Sequence, residues 1–149
     1  MSYTLNLETD EEAKEMQKAA LILEGGAKRG VFTSGVLDYL MEQEYYIPHV
    51  IGVSAGSCNA VDYVSRQPGR TKACMIRSGE DGKIINFHNF FQTKSLLDMD
   101  LIFERDPKEL HPFDFDTYFA SDMTCEIVVT NCESGQAEYY SEKEDGDRL

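Results

Sequence analysis

The chain has 149 residues, 42% of them hydrophobic and 28% charged, which is enough for one globular domain with a buried core. Twenty-seven acids against fourteen bases give a net charge of -13, which repels nucleic acid and anionic lipid at long range and leaves neutral lipids or small esters as candidate ligands. No apolar run approaches the ~18 residues of a membrane span, and the acidic N-terminus lacks the apolar stretch of a secretory signal, so a cytoplasmic location is expected.

Residues 1–17 read as a solvated acidic leader, with one or two helical turns around Glu11 to Gln17. Ala19 to Leu23 is a short continuous apolar run ending at Gly25-Gly26, the pattern of a strand buried on both faces. From Gly30 the spacing turns helical, with Val31, Phe32, Val36, Leu37 and Leu40 expected on one face. Pro48 ends that section, Val50 to Val53 is a second strand, and Ser57 to Ser65 is a second helical stretch. Gln67 to Asp106 reads as helices and loops with apolar patches at Ile84–Phe91 and Ser95–Phe103. His111 to Asp116 opens a short helix through Phe119. Thr124 to Thr130 is a strand, and Ala137 to Ser141 is its hairpin partner across Glu133-Ser134-Gly135. Strand, helix, strand, helix with short joints predicts an α/β fold, a three-layer sandwich around a central, mainly parallel sheet.

Two loops carry chemistry. Gly52-Val53-Ser54-Ala55-Gly56 is a G-x-S-x-G pattern between an apolar strand and a helical stretch. A serine on such a tight turn is thrust into solvent, and the N–H after it points toward a developing oxyanion. Small neighbours, here Gly52 and Gly56, let the turn close. The pentapeptide alone recurs by chance in roughly one chain in twenty of this length, so its context carries the signal. Glu24-Gly25-Gly26-Ala27-Lys28-Arg29-Gly30 also lies between a strand and a helix. A dinucleotide fingerprint would need an acid at the end of the second strand, where Val53-Ser54 stands. A phosphate loop would need Lys-Ser/Thr where Val31-Phe32 follows. An oxyanion loop fits best, with Gly25 through Gly30 and Ala55 as candidate residues.

On these motifs the chain resembles the patatin-like phospholipases, whose signature is an Asp/Glu-Gly-Gly-Gly-x-Lys/Arg-Gly loop after the first strand and G-x-S-x-G after the second. Glu24, Gly25, Gly26, Arg29 and Gly30 match, while Ala27 replaces the usual third glycine. Similarity to bacterial members extends through Asp106-Pro107, Pro112 to Phe115, and Val128 to Gly135. The resemblance implies that residues 18–149 are the N-terminal part of a hydrolase domain, incomplete at its C-terminal side, cleaving a lipid or small acyl ester with Ser54 as nucleophile. It also implies a Ser-Asp dyad whose acid sits in an Asp-Gly-Gly/Ala turn after the late strands. Asp145-Gly146-Asp147 lies in a charged tail and Asp81-Gly82 precedes those strands, so neither fits, and the dyad aspartate is expected outside this chain. A truncated edge would then favour self-association.

A Ser-His-Asp triad would have to use His49, His88 or His111. His49 is too close to Ser54 in sequence to face it easily, His88 lies among aromatics, and His111 precedes a proline at a helix start. Cys58, one turn past Ser54, reads as a packing residue, and Lys28 and Arg29 suit either a solvated loop or an anionic head group. No pair among Cys58, Cys74, Cys125 and Cys132 has C-x-x-C spacing, so reduced thiols without zinc, and no other metal or cofactor, are expected. The alternatives to an enzyme are a non-catalytic remnant that kept the elbow as a turn and a nucleotide-binding domain.

Overall fold

The computed structural model describes residues 19–76 and 97–141. The leader, the Ile84–Phe91 patch, His88, Asp81-Gly82 and Asp145-Gly146-Asp147 lie outside them.

Four strands form one sheet in the order β1 (Ala20–Leu23), β2 (His49–Val53), β3 (Thr124–Thr130) and β4 (Ala137–Tyr140). β1 pairs with β2 and β2 with β3 in parallel, bringing Leu23 at the end of β1 level with Gly52 near the end of β2 and Ile127 in the middle of β3. β4 returns antiparallel on β3, with Thr130 opposite Ala137, completing the expected hairpin. Helix α1 (Gly30–Glu42) joins β1 to β2. Helix α2 (Ala55–Val64) follows β2 and packs on β1, β2 and β3, while α1 packs against α2. The α/β class and the mainly parallel sheet are thus as the strand–helix alternation predicted.

The core lies between α2 and the sheet. Val50, Ala60, Tyr63, Val64 and Cys125 are fully buried, with Leu23, Leu37, Met41, Tyr118 and Met123 around them. Tyr63 buries its ring without orphaning its hydroxyl. That oxygen donates to the Tyr45 carbonyl at 2.7 Å and accepts from the Ile47 N–H at 3.0 Å, pinning the chain that enters β2.

Two sequence expectations are corrected. In α1 the buried stripe is Gly30, Ser34, Leu37 and Met41, whereas Phe32 and Val36 are exposed. Phe32, Val36 and Tyr39 form a second stripe at helical spacing, about 200° round the axis from the first, and hydrophobicity alone does not say which stripe faces inward. β1 is not buried on both faces: Ile22 is 68% exposed, and among the described residues the strand stands at the edge of the sheet.

Beyond α2, helix α3 (Arg70–Met75) starts after Gly69, whose φ of 79° suits a residue without a Cβ. A π-helix then runs from Leu101 to Leu110, shown by the Asp106 carbonyl accepting from His111 N–H five residues on. Pro107 sits inside it, and helix α4 (Phe115–Ala120) follows. Asp114 caps α4, accepting from the Thr117 N–H at 2.9 Å.

Arg70 ties these pieces together. Its Nη1 donates to buried Asp62 of α2 at 2.8 Å, and its Nε and Nη2 both donate to the His111 carbonyl. Thr71 donates its hydroxyl to the other Asp62 oxygen. Burial outweighs both partners and raises the Asp62 pKa, so the pair specifies geometry at some cost in solvation. Asp62→Ala would leave a mostly buried guanidinium uncompensated. A loss of about 3–5 kcal/mol is expected in urea unfolding, and a loss under 1 kcal/mol would contradict the packing described.

Candidate active site

Ser54 occupies the single residue between β2 and α2, with φ 55° and ψ -121°. This backbone conformation costs a non-glycine residue about 1–3 kcal/mol and persists only where neighbours enforce it. Here the enforcement is steric. A Cβ on Gly56 would lie 2.1 Å from the Leu23 carbonyl oxygen and 2.8 Å from that of Glu24. One on Gly52 would lie 2.6 Å from Ser57 Cα and 2.7 Å from the Gly56 carbonyl oxygen. The start of α2 therefore rests directly on the end of β1, and the chain has no room to turn except sharply at Ser54. Ser54 is exposed, and its hydroxyl does not cap α2. The first N–H groups of α2, beginning with Ala55, have no partner within the helix.

The glycine-rich loop lies against this turn. A Cβ on Gly25 would sit 3.1 Å from Ser54 Cβ and 3.7 Å from Ser54 Oγ. Gly26 has φ 155°, and Ala27 to Arg29 form one 3₁₀ turn closed by Arg29 N–H on the Gly26 carbonyl at 3.1 Å. Gly30 N–H likewise returns to the Ala27 carbonyl. The Arg29 and Gly30 amides are thus used to shape the loop. Ala27 has φ 49°, a conformation a glycine would adopt without penalty.

Asn59 joins the two loops, and motif reading did not single it out. Fully buried, it donates from Nδ2 to the Gly30 carbonyl at 3.1 Å and the Ala55 carbonyl at 3.3 Å. Its position four residues after Ala55, on the helix face turned to the core, is the signal that could have found it. Asn59 Oδ1 and Ser57 Oγ are buried without a hydrogen-bond partner.

The histidines stand elsewhere. His49 opens β2 and its Nε2 bonds Glu126 at 2.9 Å. Five residues of strand, about 16 Å at 3.3 Å each, separate it from Ser54. His111 Nδ1 bonds Asp106 at 2.7 Å. Neither described histidine bonds Ser54.

Cys58, one turn beyond Ser54, forms part of the wall of a cavity of about 570 Å³. Its other walls are mostly apolar, including Val61, Ile102, Phe113, Tyr118 and Ile127. Desolvation against the cavity wall, then the Asp62 charge, raises the Cys58 pKa. Lys28 and Arg29 are exposed on the glycine-rich loop.

The family model for patatin-like phospholipases matches residues 21–119. The "Uncharacterized protein YjjU" of Escherichia coli (strain K12) is 31% identical over 101 residues, which are 67% of this chain and 28% of that protein. The chain therefore spans under a third of the length of this curated relative. No solved structure matches. Among the described residues, no helix is long and apolar enough to cross a membrane.

The glycine contacts separate required positions from free ones. Gly52→Ala and Gly56→Ala each force a methyl into backbone and should lower stability by about 3 kcal/mol or more. Gly35, in mid-α1, has nothing within 4 Å of an added Cβ, so Gly35→Ala should raise stability by about 0.5–1 kcal/mol. Urea midpoints of the three variants check both signs. A tolerated Gly56→Ala would contradict the close approach of α2 to β1.

Proposed function

Because the chain belongs to the patatin-like phospholipase family, we propose that it carries the nucleophile half of a serine hydrolase cleaving lipid acyl esters. The observation that carries this reading is Ser54, held at φ 55° against Gly25 of the glycine-rich loop. In the proposed reaction Ser54 Oγ attacks the ester carbonyl and its proton passes to an aspartate carboxylate. The carbonyl oxygen becomes an oxyanion facing the N–H groups of Gly26, Ala27, Lys28 and Ala55. Collapse of that intermediate expels the alcohol, which takes the proton back. Water, activated by the same carboxylate, then frees the fatty acid and restores Ser54.

The roles of the remaining loop residues follow from their contacts. Gly25 makes room for Ser54, the Arg29 and Gly30 amides shape the loop, and Gly52 and Gly56 close the elbow. The apolar cavity beside Cys58 suits an acyl chain. Lys28 and Arg29 place two exposed positive charges on the glycine-rich loop in a chain of net charge -13, and they suit the phosphate of a zwitterionic phospholipid. The proposed aspartate belongs to an Asp-Gly-Gly/Ala turn, a sequence that these 149 residues do not contain.

Hydrolysis of p-nitrophenyl butyrate tests the proposal, with the 149-residue chain compared against a form that continues through such a turn. Loss of the activating group costs triad enzymes about 10⁴-fold or more, so the longer form should be faster by at least that order. Ser54→Ala in the longer form should remove the gain. Equal rates would place the base within the 149 residues, and an unaffected Ser54→Ala variant would remove Ser54 from the reaction.

A further inference from the structure

Away from Ser54, the fold gathers three metal-binding side chains that are far apart in sequence. Cys74 comes from the last turn of α3, Asp106 from the π-helix, and His111 from just beyond its end. One ligand atom from each, Cys74 Sγ, an Asp106 carboxylate oxygen and a His111 ring nitrogen, lie within 4.8 Å of one another. We propose that Cys74, Asp106 and His111 form a binding site for a divalent transition-metal ion of the zinc class, clamping α3 to the π-helix.

The chemistry of the donor set selects the ion. Thiolate, imidazole and carboxylate together suit zinc, whereas magnesium and calcium prefer oxygen alone. Tetrahedral coordination with bonds of about 2.0–2.3 Å sets ligand atoms about 3.3–3.8 Å apart. The His111 Nδ1 to Asp106 distance is now 2.7 Å, and no pair exceeds 4.8 Å. Adjustments of about 1 Å, within the reach of side-chain rotation, therefore bring all three to bonding distance of one centre.

The surroundings suit ligation as well. Asp106 is buried, and His111 and Cys74 are half-buried, so little bulk water competes. The ring of His111 is carried on backbone whose carbonyl accepts from both Nε and Nη2 of Arg70. These bonds fix the main chain from which the ring projects. Arg70 is itself fixed by Asp62, so its charge is partly neutralised beside the cation. Cys74 and Asp106 also form part of the wall of the apolar cavity, which leaves a fourth position for water. On binding, the thiol releases one proton to solvent, and the ring proton that Nδ1 donates to Asp106 is exchanged through solvent to Nε2, which frees Nδ1 to bind the ion. The metal also closes the long connection between α3 and the π-helix, a form of stabilisation that grows with the length bridged.

The spacing of the cysteines did not reveal this site, because its ligands are single residues 32 and 5 positions apart, brought together only by tertiary structure.

Cobalt(II) and zinc binding to the purified chain tests the proposal. One equivalent of Co²⁺ should produce tetrahedral visible bands together with a near-ultraviolet thiolate-to-cobalt charge-transfer band. Cys74→Ser should lose the charge-transfer band and bind zinc at least about 100-fold more weakly, beyond the usual effect of an outer-shell change. His111→Gln should weaken zinc similarly, and Cys132→Ser should match wild type. Zinc should raise the thermal midpoint of wild type and of Cys132→Ser but not of the two ligand variants. Thermal melts without metal establish that the variants fold, and His111→Gln carries the test if Cys74→Ser does not. Substoichiometric binding, or binding unchanged in both ligand variants, would overturn the proposal and leave a hydrogen-bonded Cys-Asp-His network.

Discussion

The close approach of α2 to the end of β1 is the constraint on which the rest of the structure depends. Gly56 sits so near the Leu23 and Glu24 carbonyls that even a methyl group is excluded. With α2 pressed onto the strand, the connection from β2 shrinks to one residue, and that residue takes the strained conformation of Ser54. The same approach fixes where the next loop can go. Gly25 passes beside Ser54, and Gly30 meets Ala55 and Asn59 on the other side. Strain at one position is thus supported by packing at four glycines and by the Asn59 hydrogen bonds to both loops.

A second layer of order lies around Asp62, Arg70 and His111. Here the chain uses charge where the elbow uses shape. Arg70 satisfies a buried carboxylate and a backbone carbonyl at once, and its guanidinium lies 5.1 Å from the centre of the Phe113 ring. Burial and the hydrogen bond from Cys74 to Asp106 push the Cys74 thiol up to about 12. The apolar cavity lies between this polar cluster and α4, with Cys58 linking it to the helix that begins beside Ser54.

Much of this was legible from local signals. An apolar run bounded by Gly25-Gly26 marked β1, the run Val50 to Val53 after Pro48 marked β2, and the hairpin of β3 and β4 announced itself through the Glu133-Ser134-Gly135 turn. Both chemical loops were visible because each requires glycine at backbone contacts, a demand written directly in residue type. The orientation of α1 was not legible, since Phe32 and Val36 are as apolar as Leu37 and Met41, and only the position of α2 decides between the stripes. The edge position of β1 depends on sheet order rather than on its own composition. Asn59 was passed over because its role is to accept burial for the sake of two carbonyls 25 residues apart. The meeting of Cys74, Asp106 and His111 is likewise tertiary.

The central claim is that the elbow makes Ser54 the reactive residue of this chain. A fluorophosphonate probe followed by peptide mass spectrometry tests it directly, because the reagent requires both an exposed hydroxyl and donors for its phosphoryl oxygen. Oxyanion donors and positioning alone retain about 10³–10⁴-fold rate enhancement in serine hydrolases lacking their base, so Ser54 should be phosphonylated ahead of every other serine and threonine, and Ser54→Ala should remove that adduct. Faster labelling at another residue, or unchanged labelling of Ser54→Ala, would contradict the account.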